Sequence, residues 1–172
     1  VGILGFGRIG QAVAARARAF GMNVVFWGRR AYPDSESAGA RRVELEALLS
    51  TSDFVSVHLP LTGETRHLLD DRRLATMKKS AILINTARGA IVDESALVDC
   101  LQKGNLAGAG LDVYEDEPVV HPALFNLSNV VLAPHIGSAT AQTRALMAEH
   151  VCRDVVRVMM GESPCNAVKV GS

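Results

Sequence analysis

The chain opens with VGILGFGRIG, in which an apolar run leads directly into three glycines and then into a segment with helical spacing. Gly5 allows a tight turn, Gly7 lets the backbone approach a ligand closely, and Gly10 allows a helix to pack against a strand. Backbone N–H groups at the start of a helix stabilise negative charge. This order is typical of a fold that binds the pyrophosphate of a dinucleotide, although such glycines also suit an ordinary turn before an amphipathic helix.

Short β-branched runs alternate with longer segments of helical spacing along the rest of the chain, and no internal repeat interrupts them. This alternation predicts an α/β fold, a Rossmann-type doubly wound parallel sheet in a single domain. The predicted strands are 1–4, 23–27, 54–57, 81–85, 106–111 and 130–132.

Helical spacing is clearest in two segments. The helix after the first strand is expected to bury four side chains, those of Ile9, Val13, Ala17 and Phe20. A last helix from about Thr140 to Met160 is expected to place four apolar side chains on one face, those of Met147, Val151, Val155 and Val158.

Composition excludes several classes of protein. Eighteen basic residues balance eighteen acidic ones, and the Arg-rich spots at 29–30 and 41–42 are too short to neutralise a nucleic-acid backbone. No apolar run approaches the roughly 18–20 residues that cross a membrane. The three cysteines have no CxxC spacing, which argues against a disulfide framework or a thiolate metal site and fits a reducing, cytoplasmic compartment. We therefore expect a core-forming domain that binds a small molecule.

The acidic residue that usually binds the adenosine ribose is missing. A carboxylate about 20 residues beyond the glycine motif normally accepts a hydrogen bond from the ribose 2′-hydroxyl, and this place holds Gly28, Arg29 and Arg30. Gly28 removes the repulsion that a carboxylate would exert on a 2′-phosphate, and a guanidinium binds phosphate well. The pattern favours NADP over NAD. Alternatively, both arginines simply extend into water.

Several chemically useful residues directly follow the predicted strands. Arg88, Asp112 and His135 come after three of them, and Glu117 lies five residues beyond Asp112. In an open parallel sheet, ligands bind where the carboxyl ends of the strands meet. We therefore expect these residues to converge with the glycine motif on one site.

Five motifs together resemble one enzyme family. HLPLTGETRHLL, LINTARGAIVDE, GLDVYEDEP and APHIGSAT follow GFGRIG along the chain. In order and spacing they are similar, from Val1 to about Val168, to the NAD(P)-binding domain of the D-isomer-specific 2-hydroxyacid dehydrogenases, and most of all to the glyoxylate and hydroxypyruvate reductases among them. The resemblance implies an oxidoreductase that transfers hydride between NADP or NAD and a small 2-keto or D-2-hydroxy acid. It implies no metal.

The resemblance also implies three catalytic residues. Arg88 matches the arginine that holds the substrate carboxylate and carbonyl, which a planar guanidinium can do with two parallel hydrogen bonds. His135 matches the general acid that protonates the carbonyl oxygen and acts as base in reverse. Glu117 matches the carboxylate that orients this imidazole and favours its protonated form. Glu115 and Asp116 lie beside it, but the family places the glutamate directly before proline.

Asp112 matches the residue that binds the nicotinamide carboxamide, although an aspartate there also suits capping of the following turn. His58 is expected to line the adenosine pocket with its backbone, and His67, His121 and His150 are interpreted as structural or surface residues. The motifs predict a larger set of cofactor-binding residues: Gly5, Phe6, Gly7, Arg8, Ile9, Gly10, Gly28, Arg29, Arg30, His58, Leu59, Pro60, Thr65, Thr86, Ala87, Arg88, Asp112, His135 and Gly137.

The resemblance further implies that residues 1–172 are a nucleotide-binding domain, with 165–172 returning toward a substrate domain absent from this chain, and that the protein is a homodimer. Because closure of two domains excludes water from hydride transfer, we expect the chain alone to bind cofactor but to turn over substrate very poorly. The alternative is a nucleotide-sensing corepressor or binding module with the same fold. Such corepressors keep the same three residues, but the NADP-like pocket weighs against this alternative.

Overall fold

A computed structural model describes residues 1–29 and 39–167. Its strands are β1 (Gly2–Leu4), β2 (Val24–Trp27), β3 (Ala40–Arg42), β4 (Phe54–Val57), β5 (Ile82–Asn85), β6 (Gly108–Leu111) and β7 (Val130–Leu132). Its helices are α1 (Arg8–Ala19), α2 (Leu45–Thr51), α3 (Asp71–Leu74), α4 (Glu94–Gln102) and α5 (Ala141–Met159), with 3-10 turns at Gly89–Ile91 and Pro122–Asn126. The chain forms two compact units, Val1–His135 and Ile136–Ser172.

The seven strands form a parallel sheet in the order β3-β2-β1-β4-β5-β6-β7. This is the doubly wound order of a Rossmann-type sheet, in which the direction of winding reverses between β1 and β4. The predicted fold class and all six predicted strands are confirmed. The prediction missed β3, because an edge strand that reads Ala-Arg-Arg carries no apolar run.

Core residues cover both faces of the sheet. Leu4 belongs to a large cluster that contains Leu48, Leu74 and Leu97 from α2, α3 and α4. Ile3, its neighbour on β1, belongs to a smaller cluster with residues of α1. Since successive side chains of a strand point to opposite faces, the helices lie on both sides of β1.

The face that α1 buries is only partly the predicted one, since Ala17 is buried as predicted but the largest apolar side chains are not. Ile9 and Phe20 are 67% and 83% exposed, whereas the helix buries Gly10, Ala14 and Ala17. A Cβ atom on Gly10 would lie 2.1 Å from the carbonyl oxygen of Gly5. The helix therefore approaches the sheet so closely that small residues, rather than the largest apolar ones, form its inner face.

The second unit contains α5, which begins where the sequence predicts. The Thr140 hydroxyl caps this helix by accepting a hydrogen bond from the Thr143 N–H at 3.1 Å. Within this unit the four apolar side chains predicted to share a face are more than half exposed, namely those of Met147, Val151, Val155 and Val158. Across residues 1–29 and 39–167, no helix is long and apolar enough to cross a membrane.

Candidate active site

The residues that follow the strands lie along one edge of the sheet. Backbone hydrogen bonds continue the strand pairing past the last strand residues. Gly5 N–H donates to the Trp27 carbonyl at 2.9 Å, and His58 N–H donates to the Leu4 carbonyl at 2.7 Å. The Asp112 N–H likewise donates to the backbone carbonyl of Asn85 at 3.0 Å. The carboxyl ends of these strands therefore meet at this edge, as predicted.

The glycine turn after β1 suits an anionic group. Gly5 has a φ of 95°, and a Cβ on it would lie 2.6 Å from the His58 carbonyl oxygen, so only glycine fits there. Gly7 precedes α1 and would place a Cβ in open space. Among residues 1–29 and 39–167, no side chain caps the start of α1 by a hydrogen bond, and the first turn of this helix has no acidic residue. The first N–H groups of the helix are thus available to a phosphate.

The residues around this turn contribute in different ways. The Phe6 ring is buried and stacks on Phe26 with 3.9 Å between ring centroids, so only the Phe6 backbone can face a ligand. Arg8 and Ile9 are exposed on the first turn of α1. Together with Gly7 and His58 they line an open depression of about 560 Å³.

At the end of β2, Gly28 and Arg29 have defined neighbours. A Cβ on Gly28 would make only an ordinary contact, 3.7 Å from the Phe6 nitrogen, and the Gly28 carbonyl accepts a hydrogen bond from Arg42 Nη2 at 2.9 Å. The Arg29 guanidinium forms an ion pair with Glu64 at 2.7 Å. Arg29 is therefore paired with a carboxylate, and Arg30 lies outside the described residues.

The loop after β4 presents its backbone rather than its polar side chains. The His58 ring lies 2.9 Å from the Ser56 hydroxyl, and burial lowers the pKa of this imidazole. Thr65 is buried, and its hydroxyl donates to the Pro60 carbonyl at 2.6 Å. It also accepts from the Thr62 N–H at 2.8 Å. Leu59 is nearly buried as well, so the predicted contacts of His58 and Thr65 would come from the main chain.

Asn85, the last residue of β5, shapes the loop that carries Arg88. It is 1% exposed. Its amide nitrogen donates to the Arg88 carbonyl at 3.0 Å, and its amide oxygen accepts from the Ala87 N–H at 3.1 Å. Thr86 and Arg88 themselves are exposed. Asn85 was not identified from the sequence, although a polar residue at the end of an apolar strand is a usable signal.

Gly89 brings this loop against the next one. A Cβ on Gly89 would lie 1.9 Å from the carbonyl carbon and oxygen of Tyr114. Backbone therefore packs directly on backbone here, and the Arg88 loop lies beside the loop that begins after β6. This glycine was also missed.

Glu117 and His135 form a hydrogen-bonded pair. Glu117 Oε2 lies 2.7 Å from His135 Nδ1, and Glu117 Oε1 accepts a hydrogen bond from the Tyr114 N–H at 3.1 Å. The hydrogen bond from His135 holds the pKa of Glu117 below its usual value, and the positive charge of Arg88 acts in the same direction. The three predicted catalytic residues are thus brought together, with Nε2 of His135 as the ring nitrogen not engaged by Glu117.

The His135 backbone has a φ of 53°, in the left-handed region. A residue with a Cβ adopts this conformation at a cost of roughly 1–2 kcal/mol, and such strain is retained where the surrounding structure fixes a functional side chain. The imidazole is half exposed. It lines a cavity of about 400 Å³ with Glu117 and a set of mainly apolar residues: Tyr114, Pro118, Val120, Phe125, Leu132, Ala133 and Pro134.

Tyr114 ties the loops of this pair together. Its hydroxyl donates to the Ala133 carbonyl at 2.8 Å, two residues before His135, and its backbone N–H binds Glu117. The side chain is buried, and burial raises the pKa of its hydroxyl. Tyr114 was not singled out from the sequence.

The neighbouring carboxylates have other partners. Glu115 pairs with His67 and with Arg66, so Glu117 is the carboxylate that meets His135, as the family pattern implied. His121 caps a 3-10 turn by accepting from the Ala123 N–H at 3.3 Å. These contacts agree with a structural interpretation of His67 and His121.

Asp112 and Gly137, two of the predicted cofactor-binding residues, lie in different units. Asp112 is buried at the end of β6, at the edge where the strand ends meet. Gly137 belongs to the second unit, and its place beside a cofactor stays a prediction. In the part of the chain that the structure describes, no three His, Cys, Asp or Glu side chains form a group that could hold a metal ion.

Comparisons with known proteins agree with this geometry. Residues 1–137 match the family described as D-isomer specific 2-hydroxyacid dehydrogenase, NAD binding domain. Over 169 residues the chain is 53% identical to a glyoxylate reductase from Thermococcus litoralis, a match that covers 98% of this chain and 51% of the relative.

Two solved structures have the same fold. One is an NADPH-dependent glyoxylate/hydroxypyruvate reductase from Sinorhizobium meliloti in complex with citrate, with a TM-score of 0.91, 35% identity, and coverage of 97% of this chain and 52% of that one. The other is a D-lactate dehydrogenase from Aquifex aeolicus complexed with NAD and lactic acid, with a TM-score of 0.88, 34% identity, and coverage of 94% and 53%.

The chain spans about half the length of these relatives. The glycine turn, the Arg88 loop and the Glu117–His135 pair all fall within the matched residues. This chain therefore belongs to the D-isomer-specific 2-hydroxyacid dehydrogenase family, of which it contains the NAD-binding domain.

Proposed function

We propose that this chain is the nucleotide-binding and catalytic domain of a reductase that interconverts a small 2-keto acid and its D-2-hydroxy acid. Glyoxylate and hydroxypyruvate are the favoured substrates. The observation that carries the proposal is the Glu117–His135 pair, at 2.7 Å, on the same sheet edge as Arg88 and the glycine turn. The names of the Thermococcus litoralis and Sinorhizobium meliloti relatives support the choice of substrate.

The residues around β1 fit a dinucleotide. Gly5 allows the tight turn, and Gly10 allows α1 to pack closely against it. The open space at Gly7 and the start of α1 fit the pyrophosphate. Arg29 would bind the 2′-phosphate, and Asp112 would bind the carboxamide of the nicotinamide. Further predicted contacts would come from the main chain after β4 and β5, at His58, Leu59, Pro60, Thr65, Thr86 and Ala87. When bound, the nicotinamide supplies the hydride.

Arg88 would bind and orient the substrate. A 2-keto acid carries a planar carboxylate next to a carbonyl, and an exposed guanidinium can hold the first while polarising the second. Two contacts hold its loop in place for this role: the Asn85 amide donates a hydrogen bond to the Arg88 carbonyl, and Gly89 packs on the Tyr114 backbone. The guanidinium donates to the Ala87 carbonyl at 2.6 Å, which leaves its other N–H groups for an anion.

His135 would move the proton. In reduction, Nε2 would donate a proton to the substrate carbonyl oxygen, and in oxidation it would accept that proton from the hydroxyl. Glu117 holds Nδ1 and stabilises the imidazolium before the proton leaves. The Tyr114 N–H fixes the other oxygen of Glu117, so the carboxylate cannot rotate away without losing that hydrogen bond.

A single-turnover assay tests this catalytic role. With the chain in excess over NADPH and with glyoxylate present, substitution His135→Gln should lower the rate of NADPH oxidation by about 100-fold or more and should change NADPH affinity far less, because His135 is only one of many predicted cofactor contacts. His150→Gln, in an exposed position on α5, is the matched control and should retain the wild-type rate. An unchanged rate in His135→Gln would contradict the assignment. In steady-state assays, the 172-residue chain is expected to turn over substrate very slowly.

The proposal includes a preference for NADP(H) over NAD(H). Relatives of both kinds occur, one NADPH-dependent and one complexed with NAD, so the preference is argued from Gly28 and Arg29 alone. Titration of the chain with NADPH and NADH should give the tighter dissociation constant for NADPH. Arg29→Gln should weaken the binding of NADPH but not of NADH. Arg72→Gln, at an exposed position on α3, should change the affinity for neither nucleotide. NADH binding as tight as NADPH binding would refute the preference.

A homodimer is also part of the proposal. Around the edge strand β7, the apolar side chains of Val119, Phe125 and Val131 are 65%, 69% and 72% exposed, and exposed apolar surface of this kind supports a protein contact. Light scattering should give twice the chain mass of 18.3 kDa. A monomer at all concentrations would contradict this part of the proposal.

A further inference from the structure

The ion pair between Arg29 and Glu64 crosses the mouth of the nucleotide site. Arg29 follows β2, and Glu64 lies on the loop after β4, and these two strands flank β1 on opposite sides. Neighbouring strands lie about 4.8 Å apart, so the two strand ends are separated by roughly 10 Å. The pair therefore spans the end of β1, where the glycine turn begins.

Glu64 is held on a well-ordered turn. Thr65, the next residue, is buried, and its hydroxyl binds both the Pro60 carbonyl and the Thr62 N–H. Arg66 N–H donates to the Thr62 carbonyl at 2.9 Å. The backbone that carries Glu64 is thus fixed from both sides, while its carboxylate is 74% exposed and reaches Arg29 at 2.7 Å.

The other end of the pair is fixed as well. Arg42, on β3, donates to the Gly28 carbonyl at 2.9 Å and so holds the residue that precedes Arg29. Two anchored backbone segments therefore direct the Arg29 side chain toward Glu64. A 2′-phosphate that binds Arg29 must compete with a carboxylate that is already there.

We propose that Glu64 is a specificity-determining residue that limits the preference for NADPH by holding Arg29, an inference that rests on the function proposed above. Binding of a 2′-phosphate requires the guanidinium to leave the carboxylate or to be shared with it. NADH has no 2′-phosphate, so it leaves the ion pair intact. Glu64 thus affects the affinity for one nucleotide and not for the other.

The size of the effect follows from the exposure of the pair. Ion pairs between exposed side chains are weak, so release of Arg29 should tighten NADPH binding by about threefold to fivefold. The test is titration of the 172-residue chain with NADPH and with NADH, for the wild type and for Glu64→Gln. We expect Glu64→Gln to bind NADPH more tightly than the wild type does. Its dissociation constant for NADH should stay within about twofold of the wild-type value.

A matched control uses an ion pair at the opposite edge of the sheet. Asp53 precedes β4 and pairs with Lys78 at 2.9 Å, with both side chains exposed. Asp53→Asn removes one negative charge from the same unit without touching the nucleotide site, and should leave both dissociation constants unchanged.

A double-mutant cycle tests whether Glu64 acts through Arg29. In the Arg29→Gln background, Glu64→Gln should change NADPH affinity by less than about twofold. Equal tightening with and without Arg29, or no tightening in Glu64→Gln alone, would overturn the inference while leaving the proposed function in place. If the wild-type chain bound neither nucleotide, the proposed function would fail and this inference with it.

Discussion

Substitution Gly89→Ala tests the contact that joins the Arg88 loop to the Glu117 loop. The added Cβ would lie 1.9 Å from the carbonyl carbon and oxygen of Tyr114 and 2.4 Å from the Glu115 nitrogen. All three atoms belong to the backbone, so no flexible side chain can move aside. Optimal contact is about 3.5 Å, so the two segments must separate by roughly 1.5 Å.

The expected cost follows from this separation. An extra methyl group in a packed site costs about 1–3 kcal/mol, and weakening the Tyr114–Glu117 hydrogen bond adds about 1 kcal/mol. We expect the free energy of unfolding to fall by about 3 kcal/mol. For a chain of this size, such a loss lowers the melting temperature by about 6–12 °C.

Urea unfolding, followed by the fluorescence of the single tryptophan, measures this loss in the unit that contains Gly89. Trp27 ends β2, within the first unit. A shift of the transition midpoint without a change of slope would show a change in stability alone. Gly63→Ala is the control, since a Cβ there meets nothing within 4 Å. A Gly89→Ala variant within about 0.5 kcal/mol of the wild type would refute the reasoning.

Three further predictions follow from the same geometry. Gly10→Ala would place a Cβ 2.1 Å from the Gly5 oxygen, so it should push α1 off the sheet and abolish nucleotide binding, which calorimetric titration would detect. The pKa of Glu117 lies below its usual 4.5 because His135 stabilises the ionised form; its contribution to stability is therefore present above that pH and lost below it. Glu117→Gln should therefore make the free energy of unfolding depend less on pH in the acid range. A pH dependence parallel to that of the wild type would contradict the stabilising role of the Glu117–His135 pair. Burial holds the pKa of Tyr114 above 10.0, so its contribution is present below pH 10 and lost above. Tyr114→Phe should lose about 1 kcal/mol at neutral pH and show a flatter alkaline limb, and equal stability at neutral pH would contradict the role of its hydroxyl.

The arrangement of the sheet was predictable because its signals are local. Six strands are apolar runs bounded by glycine or polar residues, and each could be located without knowledge of its neighbours. The convergence of Arg88 and the Glu117–His135 pair followed from topology, since each follows a parallel strand. β3 was not predictable in this way, because an edge strand has one neighbour and tolerates two arginines.

Hydrophobic periodicity failed on α1 for a physical reason. It correctly identified Ala17 as buried, but it also identified Ile9 and Phe20, which are exposed. The inner face consists of Gly10, Ala14 and Ala17. A glycine turn that brings a helix onto a strand leaves no room for large side chains. Where a motif demands close packing, residue size identifies the buried face better than hydrophobicity does.

The residues that position the candidate site were harder to find than those that form it. Arg88, Glu117 and His135 carry charges or protons and follow strands, so their residue types made them visible. Asn85 binds the backbone of its own loop. Gly89 and Tyr114 instead act through backbone contacts with loops distant in sequence, Gly89 with Tyr114 and Tyr114 with Ala133. Nothing in their own segments indicates which loop they meet, and only the strand order supplies that information.

The end of β2 illustrates the same limit for electrostatics. From the sequence, Arg29 could be either a phosphate ligand or a solvated charge, and both alternatives assumed that the arginine acts alone. The structure adds Glu64, which is 35 residues away in sequence and reaches Arg29 only because β4 lies next to β1. An arginine in this position is therefore an incomplete indicator of NADPH preference. The net charge that a 2′-phosphate meets depends on the loop after β4 as well, so specificity for the two nucleotides should be compared through residues 29 and 64 together.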